Sequence, residues 1–213
     1  MRLECEAILF DNDGVLVDSH EAVDQAWRQL AREFDLDMQA LLTELAGVRA
    51  IDTLERHLPP HRVALAVARL EELEVALAGS VRPLPGAIEL IARLPVQRYS
   101  IVTSASRRLA EARWRGAGIA VPPAAVTADD VAAGKPHPEP FLTAARCLGV
   151  DPARCIVFED SVAGATAGRT AGATVVAVGG IPWPVDPPAR VHDLSQVDVQ
   201  IDGVAPLVLE LAG

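Results

Sequence analysis

Four short apolar runs rich in β-branched residues, at residues 7–10, 99–102, 155–158 and 174–178, are separated by stretches with helical periodicity. Runs without a polar face have to be buried on both sides, so the alternation predicts an α/β fold in which a parallel sheet is covered by helices above and below. Three of the runs end in polar residues: Asp11 and Asp13 after the first, Thr103 and Ser104 after the second, Glu159 and Asp160 after the third. Open parallel sheets bind ligands beyond the carboxyl ends of their strands, so these residues are the first candidates for a site.

Residues 18–82 interrupt that alternation. They contain no convincing strand but several amphipathic helical stretches, at 21–34, 38–46, 50–57 and 63–78. This predicts an all-helical insert over 18–82, with residues 1–17 and 83–213 forming the sheet-bearing unit. Asp18 and Glu21 have capping-box spacing for the insert's first helix, and Pro83, Pro85 and Gly86 mark the return. Because the insert leaves directly after Asp11 and Asp13, it is expected to lie over them.

At 213 residues the chain can bury a core without disulfides or structural metals. Its net charge of −10 is shared equally between the insert and the rest, so neither part has the cationic footprint of a nucleic-acid binder or a membrane-surface protein. Residues 1–10 carry Glu4 and Glu6 and lack the form of a signal peptide. The charge-free stretch at 170–185 is too short to span a membrane and reads as a buried strand with its loops. Cys5, Cys147 and Cys155 show no metal-ligand spacing and fit a reduced, cytoplasmic setting. A monomer without nucleic-acid or membrane partners is expected.

Asp11-Asn12-Asp13-Gly14 puts two carboxylates at a strand end, with a glycine that permits a sharp turn. An EF-hand loop is excluded because its glycine stands later in the loop; an ordinary Asx turn is the plain alternative. Glu159-Asp160 alone would be solvated loop charge. Four carboxylates gathered at one sheet edge would repel, and a hard, oxygen-seeking cation such as Mg2+ is the natural compensation. Lys135 is the single lysine beside 18 arginines. A compact ammonium in Gly134-Lys135-Pro136 suits a phosphoryl oxygen better than surface decoration. Ser104, with the backbone of Ala105, stands where a helix is expected to begin and can offer a hydroxyl and an N–H to a phosphate; a simple helix cap is the alternative.

The order Asp11-x-Asp13-Gly14-Val15, Thr103-Ser104, Gly134-Lys135-Pro136 and Glu159-Asp160-Ser161 resembles the haloacid dehalogenase superfamily over nearly the whole chain. Leu84-Pro85-Gly86-Ala87 and the helical insert resemble the subgroup of sugar and polyol phosphatases, phosphoglycolate phosphatases and β-phosphoglucomutase. The resemblance implies a Rossmann-like core with an inserted helical cap, and a phosphatase acting on a small phosphate monoester. It makes Asp11 the nucleophile that forms an aspartyl-phosphate and Asp13 the acid and base. Mg2+ would be held by Asp11, the Asp13 carbonyl and Asp160, with Glu159 ligating directly or standing behind them. Ser104, Ala105 and Lys135 would bind phosphoryl oxygens, with Thr103 as the neighbouring hydroxyl one residue away.

Sugar-phosphate mutase and phosphoglycolate-type phosphatase remain as alternatives. β-Phosphoglucomutase carries a histidine twelve residues after its nucleophile, and this chain has Val23 there, which weakens the mutase reading. Arg49 is the cap residue suited to a substrate contact, with a plain ion pair as the alternative.

Overall fold

A computed structural model of the chain describes residues 1–42, 44–180, 187–203 and 206–212. In chain order these form β1 (Arg2–Cys5), β2 (Ala7–Asp11), β3 (Val17–Asp18), α1 (His20–Phe34), α2 (Met38–Leu42), α3 (Ala50–His57), α4 (Pro60–Leu77) and β4 (Arg82–Pro83). The chain continues through α5 (Ala87–Arg93), β5 (Tyr99–Val102), α6 (Arg107–Ala117), α7 (Glu139–Leu148), β6 (Cys155–Glu159) and α8 (Val162–Thr170). It closes with β7 (Thr174–Val178), β8 (Ala189–Val191), β9 (Val197–Gln200) and β10 (Leu207–Leu211).

Five strands form a parallel sheet in the order β5-β2-β6-β7-β8. The four apolar runs are β2, β5, β6 and β7, and side-chain alternation divides each of β2, β6 and β7 between two cores. Ile8, Phe10, Ile156, Phe158, Val176 and Val178 join α5 and α6 residues such as Leu90, Ile91 and Trp114 on one face. Ala7, Leu9, Cys155, Val157, Val175 and Ala177 meet Phe141, Ala144 and Ala145 of α7 and Ala165 and Ala167 of α8 on the other. The sheet is therefore covered on both sides, as its uninterrupted apolar strands require.

The C-terminal strands β9 and β10 join the N-terminal β1 in a second, antiparallel sheet, β1-β10-β9, whose Val197, Val199, Leu207 and Leu209 enter the first of those cores. The apolar runs had not marked these strands. Of the charge-free stretch at 170–185, residues 181–185 lie outside the described residues; the rest is the end of α8, a turn and the buried β7.

The helices α1 to α4 enclose a core of their own, built from Trp27, Leu30, Phe34, Leu41, Leu54, Val63, Ala66 and Leu70. Three details differ from the sequence expectation. The insert is bounded by a two-residue antiparallel ribbon, Val17 with Pro83 and Asp18 with Arg82, too short to leave a periodic pattern. The helix expected over 38–46 ends at Leu42, and residues 44–49 turn toward the sheet. The capping box of Asp18 and Glu21 does not form: α1 starts at His20 with Ser19 in the N-cap position, and Ser19 sends its hydroxyl elsewhere. No helix among the described residues is long and apolar enough to cross a membrane.

Candidate active site

Numbering the parallel strands by their sequence gives the order 2-1-3-4-5, which reverses direction between β2 and β6. At such a switch point the connections on either side diverge and leave a crevice beyond the strand ends. Phe10 pairs with Phe158, so the residues that follow, Asp11 and Glu159, end side by side at this crevice.

The chain leaves β2 through a tight turn in which the N–H groups of Leu16 and Val17 donate to the Asn12 carbonyl at 2.8 and 3.0 Å. Gly14 has φ +83°, and a Cβ there would lie 2.0 Å from Asp160 Oδ2. A Cβ at Gly164 in α8 would lie 1.5 Å from Glu159 Oε1. Both glycines are needed for the carboxylates to approach the backbone so closely. The turn is also locked from α6, where Trp114 donates its indole N–H to Asn12 Oδ1 at 2.8 Å.

Lys135 is 1% exposed and reaches between the two strand ends. Its ammonium donates to Asp11 Oδ1, to Glu159 Oε1 at 2.7 Å and to the Val102 carbonyl at 3.3 Å. Burial opposes the charge, but Asp11 and Glu159 together outweigh it and hold the ammonium above its ordinary range. The other oxygen of Glu159, Oε2, accepts from the Ser161 backbone N–H at 2.8 Å and hydroxyl at 2.9 Å.

Asp13 accepts at both oxygens. Ser19 Oγ donates to Oδ1 at 2.6 Å and Arg113 Nη1 at 2.8 Å, while Asn12 Nδ2 donates to Oδ2 at 3.1 Å and Thr103 Oγ1 at 3.4 Å. Burial would raise its carboxyl, yet Arg113 and the hydrogen bonds from Ser19 and Asn12 reverse the effect and hold it below the usual range. Arg113 and Ser19 carried no signal as site residues in the sequence. Each sits on a helix whose pattern explains it as surface or cap, and only the packing of helices turns them toward Asp13.

A cleft of about 680 Å³ opens above these residues between the sheet and the helical insert. Asp11, Asp13, Asp160, Ser104 and Ala105 line it from below, and Val23 and Arg49 line it from the insert. Lys135 lies beneath the floor and meets the others through Asp11 and Glu159. Ser104 does not start α6, which begins at Arg107 with Ser106 as its cap; it donates its hydroxyl to the Gly47 carbonyl of the insert at 2.7 Å. Arg49 grips Asp52 with Nε at 2.7 Å and Nη2 at 2.8 Å, and Nη1 reaches the Ala132 carbonyl at 3.1 Å. The ion-pair alternative thus describes its present contacts, and Arg49 lines the cleft wall.

Asp11, Glu159 and Asp160 each place a carboxylate oxygen within 4.8 Å of the others. Burial, relieved in part by Lys135 and aggravated by Glu159 and Asp160, raises Asp11 well above its ordinary range. Burial and then Glu159 push Asp160 up to about 7. One ammonium leaves this acidic group short of positive charge, and all-oxygen donors suit a hard divalent cation. The Asp13 carboxylate lies outside the group, taken up by its four donors.

Acidic strand ends at the switch point of a parallel sheet, bridged by a buried lysine and covered by a helical insert, define a class of hydrolases, and the chain belongs to it: the haloacid dehalogenase-like hydrolase model matches residues 5–172. Among relatives, it is 38% identical over 209 residues to hexitol phosphatase A of Escherichia coli strain K12, covering 92% of this chain and 95% of that protein. It is 32% identical over 190 residues to glycerol-1-phosphate phosphohydrolase 2 of Saccharomyces cerevisiae, covering 84% of this chain and 76% of that one. The crystal structure of β-phosphoglucomutase from Clostridium difficile is similar at a TM-score of 0.79 and 25% identity, covering 90% and 92% of the two chains.

Proposed function

We propose that the chain is a magnesium-dependent phosphatase that hydrolyses a small phosphorylated sugar or polyol through an aspartyl-phosphate on Asp11. The observation that carries this reading is the Lys135 ammonium seated against Asp11 at the floor of the cleft. A carboxylate can approach an anionic phosphoryl group only where fixed positive charge offsets the repulsion. The donor set of Asp11, Glu159 and Asp160 fits magnesium, with the Asp13 carbonyl as a further oxygen ligand. When bound, the ion supplies Lewis-acid stabilisation of the phosphoryl oxygens.

The Asp11 carboxylate forms the new P–O bond as the ester P–O bond breaks, and the leaving alkoxide takes its proton from Asp13. Asp13, now a carboxylate, takes a proton from water, whose oxygen attacks phosphorus and releases Asp11 and inorganic phosphate. The donors that surround Asp13 suit the second half of this cycle, where it must accept. Ser104 Oγ and the Ala105 N–H are the phosphoryl-binding groups on the β5 side, once the serine exchanges the Gly47 carbonyl for a phosphoryl oxygen.

The relatives named as hexitol and glycerol-phosphate phosphatases support a neutral, hydroxyl-bearing leaving group. The apolar Val23 on the cleft wall offers no proton-transfer group to the substrate, which favours hydrolysis over mutase turnover. Phosphate release should be measured across sugar, polyol and short-acid phosphates with magnesium and with chelator. Hydrolysis in both conditions, with the metal verified absent in the second, would overturn the charge balance. Asp11→Asn should abolish turnover, and Asp13→Asn should lower it by roughly 100- to 10,000-fold, the usual share of proton transfer.

A further inference from the structure

Above its floor the cleft offers little positive charge to a bound molecule. Arg49 gives Nε and Nη2 to Asp52 and Nη1 to the Ala132 carbonyl. Arg113 of α6 gives Nη1 to Asp13 Oδ1 at 2.8 Å and Nη2 to Glu74 Oε1 of α4 at 2.9 Å, and its Nε is buried away from water. Among the described lining residues these are the two guanidiniums, and each is already met by carboxylate. Lys135, beneath the floor, is held between Asp11 and Glu159.

Carboxylates, by contrast, stand along the wall: Asp24, Glu71, Glu74 and Asp129 all line it. Glu71 of α4 is fixed beside the phosphoryl-binding end, because Ser106, one residue past Ala105, donates its hydroxyl to Oε1. Arg108 Nη1 donates to Oε2 at 3.1 Å, but the arginine side chain is 62% exposed and the glutamate 26%. Water screens the guanidinium more than the carboxylate, so the pair leaves net negative charge facing the cleft. Lys135 and magnesium offset one anionic group, the phosphoryl; nothing on the described wall offsets a second.

We propose that Glu71 is a specificity-determining residue that sorts leaving groups by charge: its carboxylate accepts a hydroxyl of a neutral polyol and keeps out esters whose leaving group carries a carboxylate or a second phosphate. This deepens the phosphatase reading of the same site and rests on it. It also decides against the phosphoglycolate-type alternative, whose leaving group is an anion.

The test is a series of three small phosphate esters of similar size, assayed with magnesium: phosphoethanolamine with a cationic leaving group, 2-hydroxyethyl phosphate with a neutral one and 2-phosphoglycolate with an anionic one. In wild type, kcat/KM for phosphoglycolate should lie at least about tenfold below that for the hydroxyethyl ester, the effect of one unit charge in a partly solvated cleft. Phosphoethanolamine should not fall below the neutral ester, whereas a pocket that is merely too small would reject both charged compounds. Glu71→Gln should raise the phosphoglycolate-to-hydroxyethyl ratio about tenfold. Arg108→Gln, which unmasks the carboxylate, should lower the same ratio. Added salt should raise it in wild type and leave Glu71→Gln nearly flat. An unchanged ratio in Glu71→Gln, or equal rejection of both charged esters, would overturn the assignment. Should Glu71→Gln fail to fold, Arg108→Gln and the salt dependence decide. Calorimetric binding of the three compounds to the magnesium-loaded protein is independent of turnover: phosphoglycolate should bind weakest, and equal affinities refute the proposal. If wild type releases phosphate from none of the esters, the phosphatase reading fails and the calorimetric order alone decides the charge sorting. A protein that binds none of the three overturns both.

Discussion

Replacing Lys135 with methionine keeps the length and volume of the side chain and removes only its charge. Asp11 and Glu159 then remain at 5% and 0% exposure without the ammonium that bridges them. Removing one partner of a buried ion pair costs about 3–5 kcal/mol, because the charge left behind stays desolvated. With an unfolding entropy of about 2.1 cal/mol/K per residue, a chain of 213 residues loses about 2 °C of Tm per kcal/mol. A fall of roughly 7–11 °C in chelator is expected. The informative control is Lys135→Met with Glu159→Gln. The glutamine carbonyl can take over the two hydrogen bonds from Ser161, and one of the two stranded charges is gone. Neutral replacement of both partners of a buried pair is often harmless, so the double variant should recover at least about half of the lost stability. Both variants should lose most of their turnover of phosphate esters. Thermal unfolding of the three proteins in chelator decides the matter: a double variant no more stable than the single one would show that the cost lies in packing, not in stranded charge.

Trp114→Phe removes the donor to buried Asn12 Oδ1 and should cost about 1–3 kcal/mol by denaturant unfolding, with activity reduced through the Asp13 turn. Burial, only partly offset by Arg113, pushes Glu74 up to about 6, so the native chain holds a proton there that the unfolded chain has already released. Its contribution is therefore fully present below about pH 4.5 and lost as the pH rises through 6, on the order of 2 kcal/mol. Glu74→Gln should gain that much relative to wild type between pH 4.5 and 7.5; parallel stability curves would refute the shift. Lys135→Ala should lower kcat/KM by similar factors across sugar, polyol and short-acid phosphates, whereas Arg49→Ala should reorder them. A uniform loss with a lower Tm would mark Arg49 as a tie between Asp52 and the Ala132 carbonyl and nothing more.

The parts of the candidate site on strand ends were legible because a strand buried on both faces announces itself as an apolar run, and whatever polar residue follows must stand at the sheet edge. Asp11, Glu159 and Asp160 fall in that class. Lys135 was legible for a compositional reason, as the lone lysine in an arginine-using chain. Arg113 and Glu74 were not, since one residue of a helix meeting one of another 39 positions away leaves no periodic trace. Ser19 left no trace for a related reason. An N-cap serine is expected to accept from its helix, and here a nearby carboxylate competes successfully for its hydroxyl. The strand β8 has three residues, and β9 and β10 alternate buried with less buried residues, so they lack the uniform apolarity of the four apolar runs.

The small ribbon in which Asp18 faces Arg82 has a consequence for how such a chain can diversify. It clamps the two ends of the helical segment against each other, so the sheet senses a closed junction whatever lies beyond it. Lengthening a loop whose ends are already joined costs only about 0.6 kcal/mol per doubling. The junction thus behaves as a socket, in which the floor proposed to perform the chemistry and the roof over the cleft can change at different speeds. A roof grafted from a relative between these two residues, with glutamate kept at position 74 and glycine at 47, should carry its own substrate preference onto an unaltered floor.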